Sequence, residues 1–261
     1  MPPHWRGFVR GSMMDLRSHY ENLLKQLVDD PERVAFRICF PSKFVDVSSD
    51  FVLAVARFHG TSFTDECRKI CKTFENHSDF LELKFRENDG ILTWNIPPKI
   101  WFSQLEELYK NLRDISDISV VDIRLSQEEI FQLQYVYARI HSVYKHFFHR
   151  FPKEKIPTSA NFSLESMKIL LNLIKTVVGY SRWMTDIIEN KNSEDLRRYP
   201  VRLIEVFNEL WDWRKDGAEM VFIFPNDLVR TQSEIFVLEC LKLVLRQVFV
   251  MLRVNPVEEL G

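Results

Sequence analysis

The chain has 261 residues, 46% of them hydrophobic, with 35 Lys and Arg against 37 Asp and Glu for a net charge of −2. That balance excludes a whole-protein field drawing the chain to nucleic acid or to an anionic membrane, so such binding has to use a local patch. Only seven glycines are present, and no GxGxxG, GxxxxGK[ST] or GxSxG occurs, which excludes the glycine-dependent ways of cradling a phosphate or presenting a serine nucleophile.

Residues 1–12 carry no helical or strand period and read as a flexible tail or a fused docking peptide, with Gly11-Ser12 as its hinge. Pro2-Pro3 supplies polyproline stiffness ahead of Trp5, Arg6 and Phe8, which are the residue types of a docking anchor. From Asp15 the register is helical, with Leu16, Tyr20, Leu23, Leu24 and Leu27 on one face, until Pro31. Residues 34–40 alternate as a strand. Residues 49–58 are apolar and fit a buried helix or strand equally, and 64–74 reads as helix.

The clearest local signal is a β-hairpin, 80–87 and 91–96 around Asp89-Gly90. A Trp on its second strand invites comparison with base-stacking sheets, but 91–96 holds no basic residue and no glycine, so Trp94 reads as core. Pro97-Pro98 starts a helix through Leu112, and 118–125 reads as a further strand. These elements predict an α+β subdomain over 13–125, with a small mixed or antiparallel sheet packed on helices and an order compatible with a split βαβ, ferredoxin-like arrangement.

A helical bundle is predicted over 126–261. Ser126-x-x-Glu129 is a capping box, and the following helix of about 25 residues carries a seam of Ile130, Leu133, Tyr137, Ile140, Tyr144, Phe147 and Phe151, expected to bury against the next helix. That next helix, 164–189, is apolar over more than half its circumference and is expected to be central. A third is expected from Pro200 to Trp213, and a last one from a Thr231-x-x-Glu234 cap to about Val254.

Four cysteines at irregular spacing point to reduced thiols in an intracellular, cytoplasmic or nuclear compartment. Cys67 and Cys71 lie between His59 and His77, but H-x7-C-x3-C-x5-H matches no common zinc module, and neither metal nor cofactor is expected. No apolar run approaches the roughly 18 residues of a membrane span, so no membrane partner is expected.

Two surfaces remain. Arg139, Lys145, His146, His149, Arg150 and Lys153 gather toward the end of the 126–151 helix, where phosphate or nucleic-acid contact and helix-dipole complementarity both explain them. Trp213 emerges at the edge of the Leu203-Phe207-Leu210 stripe, which Trp211 joins, and fits an interface anchor. The leading reading is a non-catalytic adaptor or subunit of a complex, binding a short peptide or partner helix in an apolar groove through Trp5, Arg6, Phe8 and Trp213. The alternatives are a nucleic-acid-binding protein using the basic cluster of 139–155, and an enzyme with a dispersed site.

Overall fold

A computed structural model describes residues 16–39, 46–74, 77–86, 90–113, 123–159, 164–188, 193–215 and 222–259. The chain divides into two compact units, one ending at Ile100 and one beginning at Trp101, whereas the change of register in the sequence falls after Leu125.

The first unit holds α1 (Leu16–Lys25), a four-stranded sheet, and α2 (Phe51–His59) and α3 (Phe63–Phe74) between its second and third strands. Its strands are β1 (Ile38–Cys39), β2 (Val47–Ser49), β3 (Leu81–Arg86) and β4 (Ile91–Asn95). The spatial order is β1-β2-β4-β3 and every pair is antiparallel. The antiparallel α+β reading therefore holds, but the split βαβ form does not: β1 pairs directly with β2, and no parallel crossover joins the described strands. Gly90 enters the hairpin at φ +68°, a region that L side chains resist, which is why glycine stands there. Trp94 is fully buried, with its ring 5.3 Å from both Tyr20 and Phe80. This places it in the core and not on a base-stacking face.

The second unit is helical: α4 (Pro98–Arg113, from Trp101 onward), α5 (Gln127–Arg150), α6 (Leu164–Val178), α7 (Tyr180–Ile188), α8 (Ser193–Lys215) and α9 (Leu228–Leu252). Of the strand expected at 118–125, residues 118–122 lie outside the described ones and 123–125 carry no strand. The central helix is α9, not the 164–189 segment, which breaks into α6 and α7 at Gly179. Apolar side chains of α9 from Ile235 to Met251 are buried round nearly its whole circumference. Asp227, not Thr231, caps it by accepting from the Arg230 N–H at 2.9 Å, and Thr231 is held inside by the Phe224 backbone.

The α5 seam packs on α8 and α9, which corrects the expectation that it faces the 164–189 helix. Tyr144 meets Glu239 and Tyr137 meets Phe249, so α5 and α9 run antiparallel.

Helix α8 starts seven residues before the expected Pro200, which lies inside it. A proline there deletes the N–H that would bond the carbonyl of Leu196. The indole N–H of Trp183 donates to that carbonyl at 2.8 Å, and the Trp183 ring stacks on Tyr199 at 5.0 Å. The donor that the sequence withdraws from α8 is returned by α7.

This repair is testable. Trp183→Phe should lower stability in a urea titration by about 1–3 kcal/mol for the orphaned carbonyl, with further loss from packing. Pro200→Ala restores a backbone donor, so the double variant should lose less than the two single variants combined. Strict additivity would contradict the repair.

Candidate nucleic-acid interface

Helix α5 begins as the sequence predicts. The Ser126 hydroxyl accepts from Glu129 N at 3.2 Å, and the Glu129 carboxylate accepts from Ser126 N at 2.8 Å. The same carboxylate takes the Arg197 guanidinium of α8 in a fork, Nη2 at 2.5 Å and Nε at 3.0 Å. That fork, helped by the cap, holds the Glu129 carboxyl below the usual range against the opposing effect of burial.

Ten residues on, Arg139 donates to Asn208 Oδ1 of α8 at 3.3 Å and to the Tyr135 hydroxyl at 2.7 Å. Since 129 meets 197 and 139 meets 208, α5 and α8 run parallel, fastened at two points about 15 Å apart by the helical rise.

The second fastening is also a stack. The Arg139 guanidinium lies 4.0 Å from the Tyr135 ring centroid and 4.5 Å from that of Trp211. On the outer side Phe131 stacks on Tyr135, centroids 6.3 Å apart and planes 9° apart, with 48% of Phe131 exposed. On the inner side Trp211 leads to Phe207 and buried Phe222. A row of π-faces and one planar cation thus runs from the core of the second unit to solvent.

At about 100° per residue, Phe131, Tyr135, Arg139, His146, His149 and Arg150 fall in one sector of α5 about 100° wide, opposite the buried seam. Helix α8 borders this face on one side through Asn208 and Trp211. The segment 254–259 borders it on the other: Gln134 donates to the Asn255 carbonyl at 3.3 Å, His141 lies 3.8 Å from the Glu258 carboxylate, and Lys145 pairs with Glu259. Burial is the main influence on the His141 imidazole and pushes its pKa down.

Of the residues singled out in the sequence, Arg139, His146, His149 and Arg150 share this face, Lys145 stands at its edge, and Lys153 is exposed just beyond the helix. Trp5, Arg6 and Phe8 lie outside the described residues. Trp213 is in α8, but its side chain lies outside the described ones. Trp211, read as a stripe residue, borders the surface. Phe131, Tyr135 and Asn208 were missed, although an aromatic-x3-aromatic-x3-Arg series on the polar side of an amphipathic helix is a readable signal.

Residues 133–260 match the DALR anticodon binding domain. The chain is also similar to arginine–tRNA ligases: 22% identical to that of Rhodospirillum rubrum over 149 residues, 29% to that of Wolbachia pipientis wMel over 149, and 26% to that of Ehrlichia ruminantium (strain Welgevonden) over 148. These matches cover 55%, 56% and 55% of this chain and 25%, 24% and 24% of the respective relatives, so the matched segment amounts to about a quarter of each relative's length. No solved structure matches.

These similarities overturn the leading sequence reading. A DALR match and ligase relatives contradict the peptide-docking adaptor and the protein partner assigned to it, and favour the nucleic-acid alternative. They also contradict the expectation of a non-catalytic protein, since the relatives are ligases, with the family match lying over the helical unit alone. Among the described residues no helix is long and apolar enough to cross a membrane.

The Glu129 fastening has a pH signature. Its folded pKa is depressed, so its contribution is present above the unfolded value of about 4.3 and is lost as pH falls through the lower folded value. Glu129→Gln should therefore lower Tm near pH 7, and the gap from wild type should close below about pH 4. A gap independent of pH would contradict this.

Proposed function

We propose that the second unit binds RNA, and that its ligand is the unpaired loop of a tRNA anticodon arm, an arginine tRNA being the first to test. The observation that carries this reading is the Phe131-Tyr135-Arg139-Trp211 stack, whose outer ring is open to solvent. Every base has a π-face, so an exposed flat ring can extend its stack by one base, provided the base is already out of a duplex. Arg139 is preorganised by two rings, a hydroxyl and an amide, and presents a planar cation at the same place. His146, His149 and Arg150 continue the face along α5 with imidazole and guanidinium N–H groups, the donors that meet backbone phosphates.

The match to an anticodon binding domain over 133–260 and the arginine–tRNA ligase relatives support the choice of tRNA over other RNA. The formal charge of −2 is no obstacle, since stacking and a local row of cations do not require a basic protein. The reading also replaces helix-dipole complementarity as the account of Arg139, which stands mid-helix and is clamped on both faces.

Fluorescence anisotropy with an arginine anticodon stem-loop checks this. Phe131→Ala and Tyr135→Ala should each cost about 1–3 kcal/mol of binding, roughly fivefold to 150-fold in Kd, as for a lost base stack. Arg150→Ala should act differently, flattening the log–log salt dependence by about 0.7 for one single-strand phosphate contact. Equal affinity for the stem-loop and for a plain duplex of its stem, unaffected by Phe131→Ala, would overturn the reading.

A further inference from the structure

The segment that follows α9 is built to lie where it does. At the end of α9, Arg253 takes a left-handed conformation, φ 58° and ψ 35°, in a place where glycine is the usual residue. Its N–H bonds the carbonyls of Phe249 and Val250, and Val254 N–H reaches back to Phe249 O at 3.0 Å. Val254 packs against the core of the helical unit. The turn reverses the chain. Along α9 the contacts with α5 pass from 144 to 137 and reach 134 at Asn255, and the segment then returns past His141 to Lys145.

The contacted positions on α5, 134, 141 and 145, are spaced i, i+7, i+11 and form one stripe beside the exposed face. From 134 to 145 the helix rises about 16 Å, a span that five residues of extended chain reach with their side chains. The segment therefore runs as an extended strap along the edge of the face that carries Arg139, His146 and Arg150.

Its two glutamates are poorly placed to stabilise the fold, with side chains 69% and 73% exposed. They sit instead along the edge of the exposed α5 face, on His141 and Lys145. Lys145, at the edge of the exposed α5 face, is the cation that Glu259 of the strap pairs with. Lys242, the other ammonium close by, is occupied by Glu239 at 3.0 Å.

We propose that the 254–259 segment is an acidic strap that regulates the RNA face: Glu259 holds Lys145 in the free protein, Glu258 reinforces it beside His141, and a backbone phosphate of the bound RNA displaces Glu259 from Lys145. This rests on the RNA-binding reading above. The phosphate and the carboxylate compete for the same ammonium, so the strap weakens binding to any polyanion. It leaves base stacking on Phe131 and Tyr135 untouched. Its effect is a threshold: every RNA loses the same factor, so one that offers no unstacked base is held at weak affinity, whereas a loop that stacks on Phe131 still binds.

The test compares wild type, Glu258→Gln/Glu259→Gln, Lys145→Ala and the triple variant for binding to the anticodon stem-loop and to a plain duplex over a salt series. The double variant should bind both RNAs about two- to fivefold more tightly per glutamate removed near 0.1 M salt, the range of an exposed ion pair. Its gain should be similar for the two RNAs, leaving the preference for the loop unchanged. In the Lys145→Ala background the gain should largely vanish. If the double variant binds as wild type does, or gains as much without Lys145, the strap has no such role, while weakening by Tyr135→Ala would still uphold the RNA face. If neither RNA binds any of these proteins, the RNA-binding reading fails and the strap falls with it.

Discussion

Helix α9 keeps only a narrow polar edge, Glu239, Lys242 and exposed Arg246, and buries the rest of its circumference; the helical unit follows from that constraint. Ile235, Phe236, Val237 and Leu238 are consecutive and all buried, which is possible only when neighbours close round the helix at that level. Burying side chains of this size gains roughly 1.5–3 kcal/mol each, so the arrangement is worth more than any polar contact in the unit. Helix α5 is one of those neighbours. Its seam is committed to the core, and this leaves its opposite side, with Phe131, Tyr135, Arg139 and Arg150, outside that core. The face is available because the other side of the helix is fully used.

Its rigidity comes from α8. Two parallel helices fastened at Glu129–Arg197 and again at Arg139–Asn208 cannot slide or splay without breaking charge-assisted hydrogen bonds. Trp211 adds a second ring to the Arg139 cation, so the guanidinium is oriented before any ligand arrives. Preorganisation of this kind lowers the ordering cost of binding. The Trp183 donor serves the same end further back in α8, since it allows the helix to run through Pro200 and carry Asn208 and Trp211 in register with α5.

What the sequence made legible was local. The hairpin of β3 and β4 with Gly90 at its turn, the Ser126–Glu129 capping box and the apolar run of α9 are each written within a few neighbouring residues, and the structure has all three in place, with Asp89 outside the described residues. The start of α8 was not legible, because the group that rescues Pro200 is an indole on another helix. Arg139 was noticed for the wrong reason, as one of several cations toward a helix end, since its partners Asn208 and Trp211 are about 70 residues away. Phe131 and Tyr135 are hard to read because the apolar seam dominates the periodicity of α5, and two aromatic residues on its wet side do not alter that period. Trp213 was preferred to Trp211 on helical angle alone, which does not reveal that a cation covers the latter. The strap along α5 depends on a left-handed turn at Arg253, and nothing in an Arg-Val-Asn-Pro sequence announces a chain reversal.

The central claim is that an unpaired base stacks on the open ring of Phe131. The most direct measurement places 2-aminopurine at successive positions of an arginine anticodon stem-loop and follows its fluorescence as protein is added. Stacking on Phe131 requires a change at one or two loop positions and none in the stem, with the loop signal lost in Phe131→Ala at protein concentrations that still saturate binding. A signal spread evenly over stem and loop, or a loop signal identical in wild type and Phe131→Ala, would contradict it.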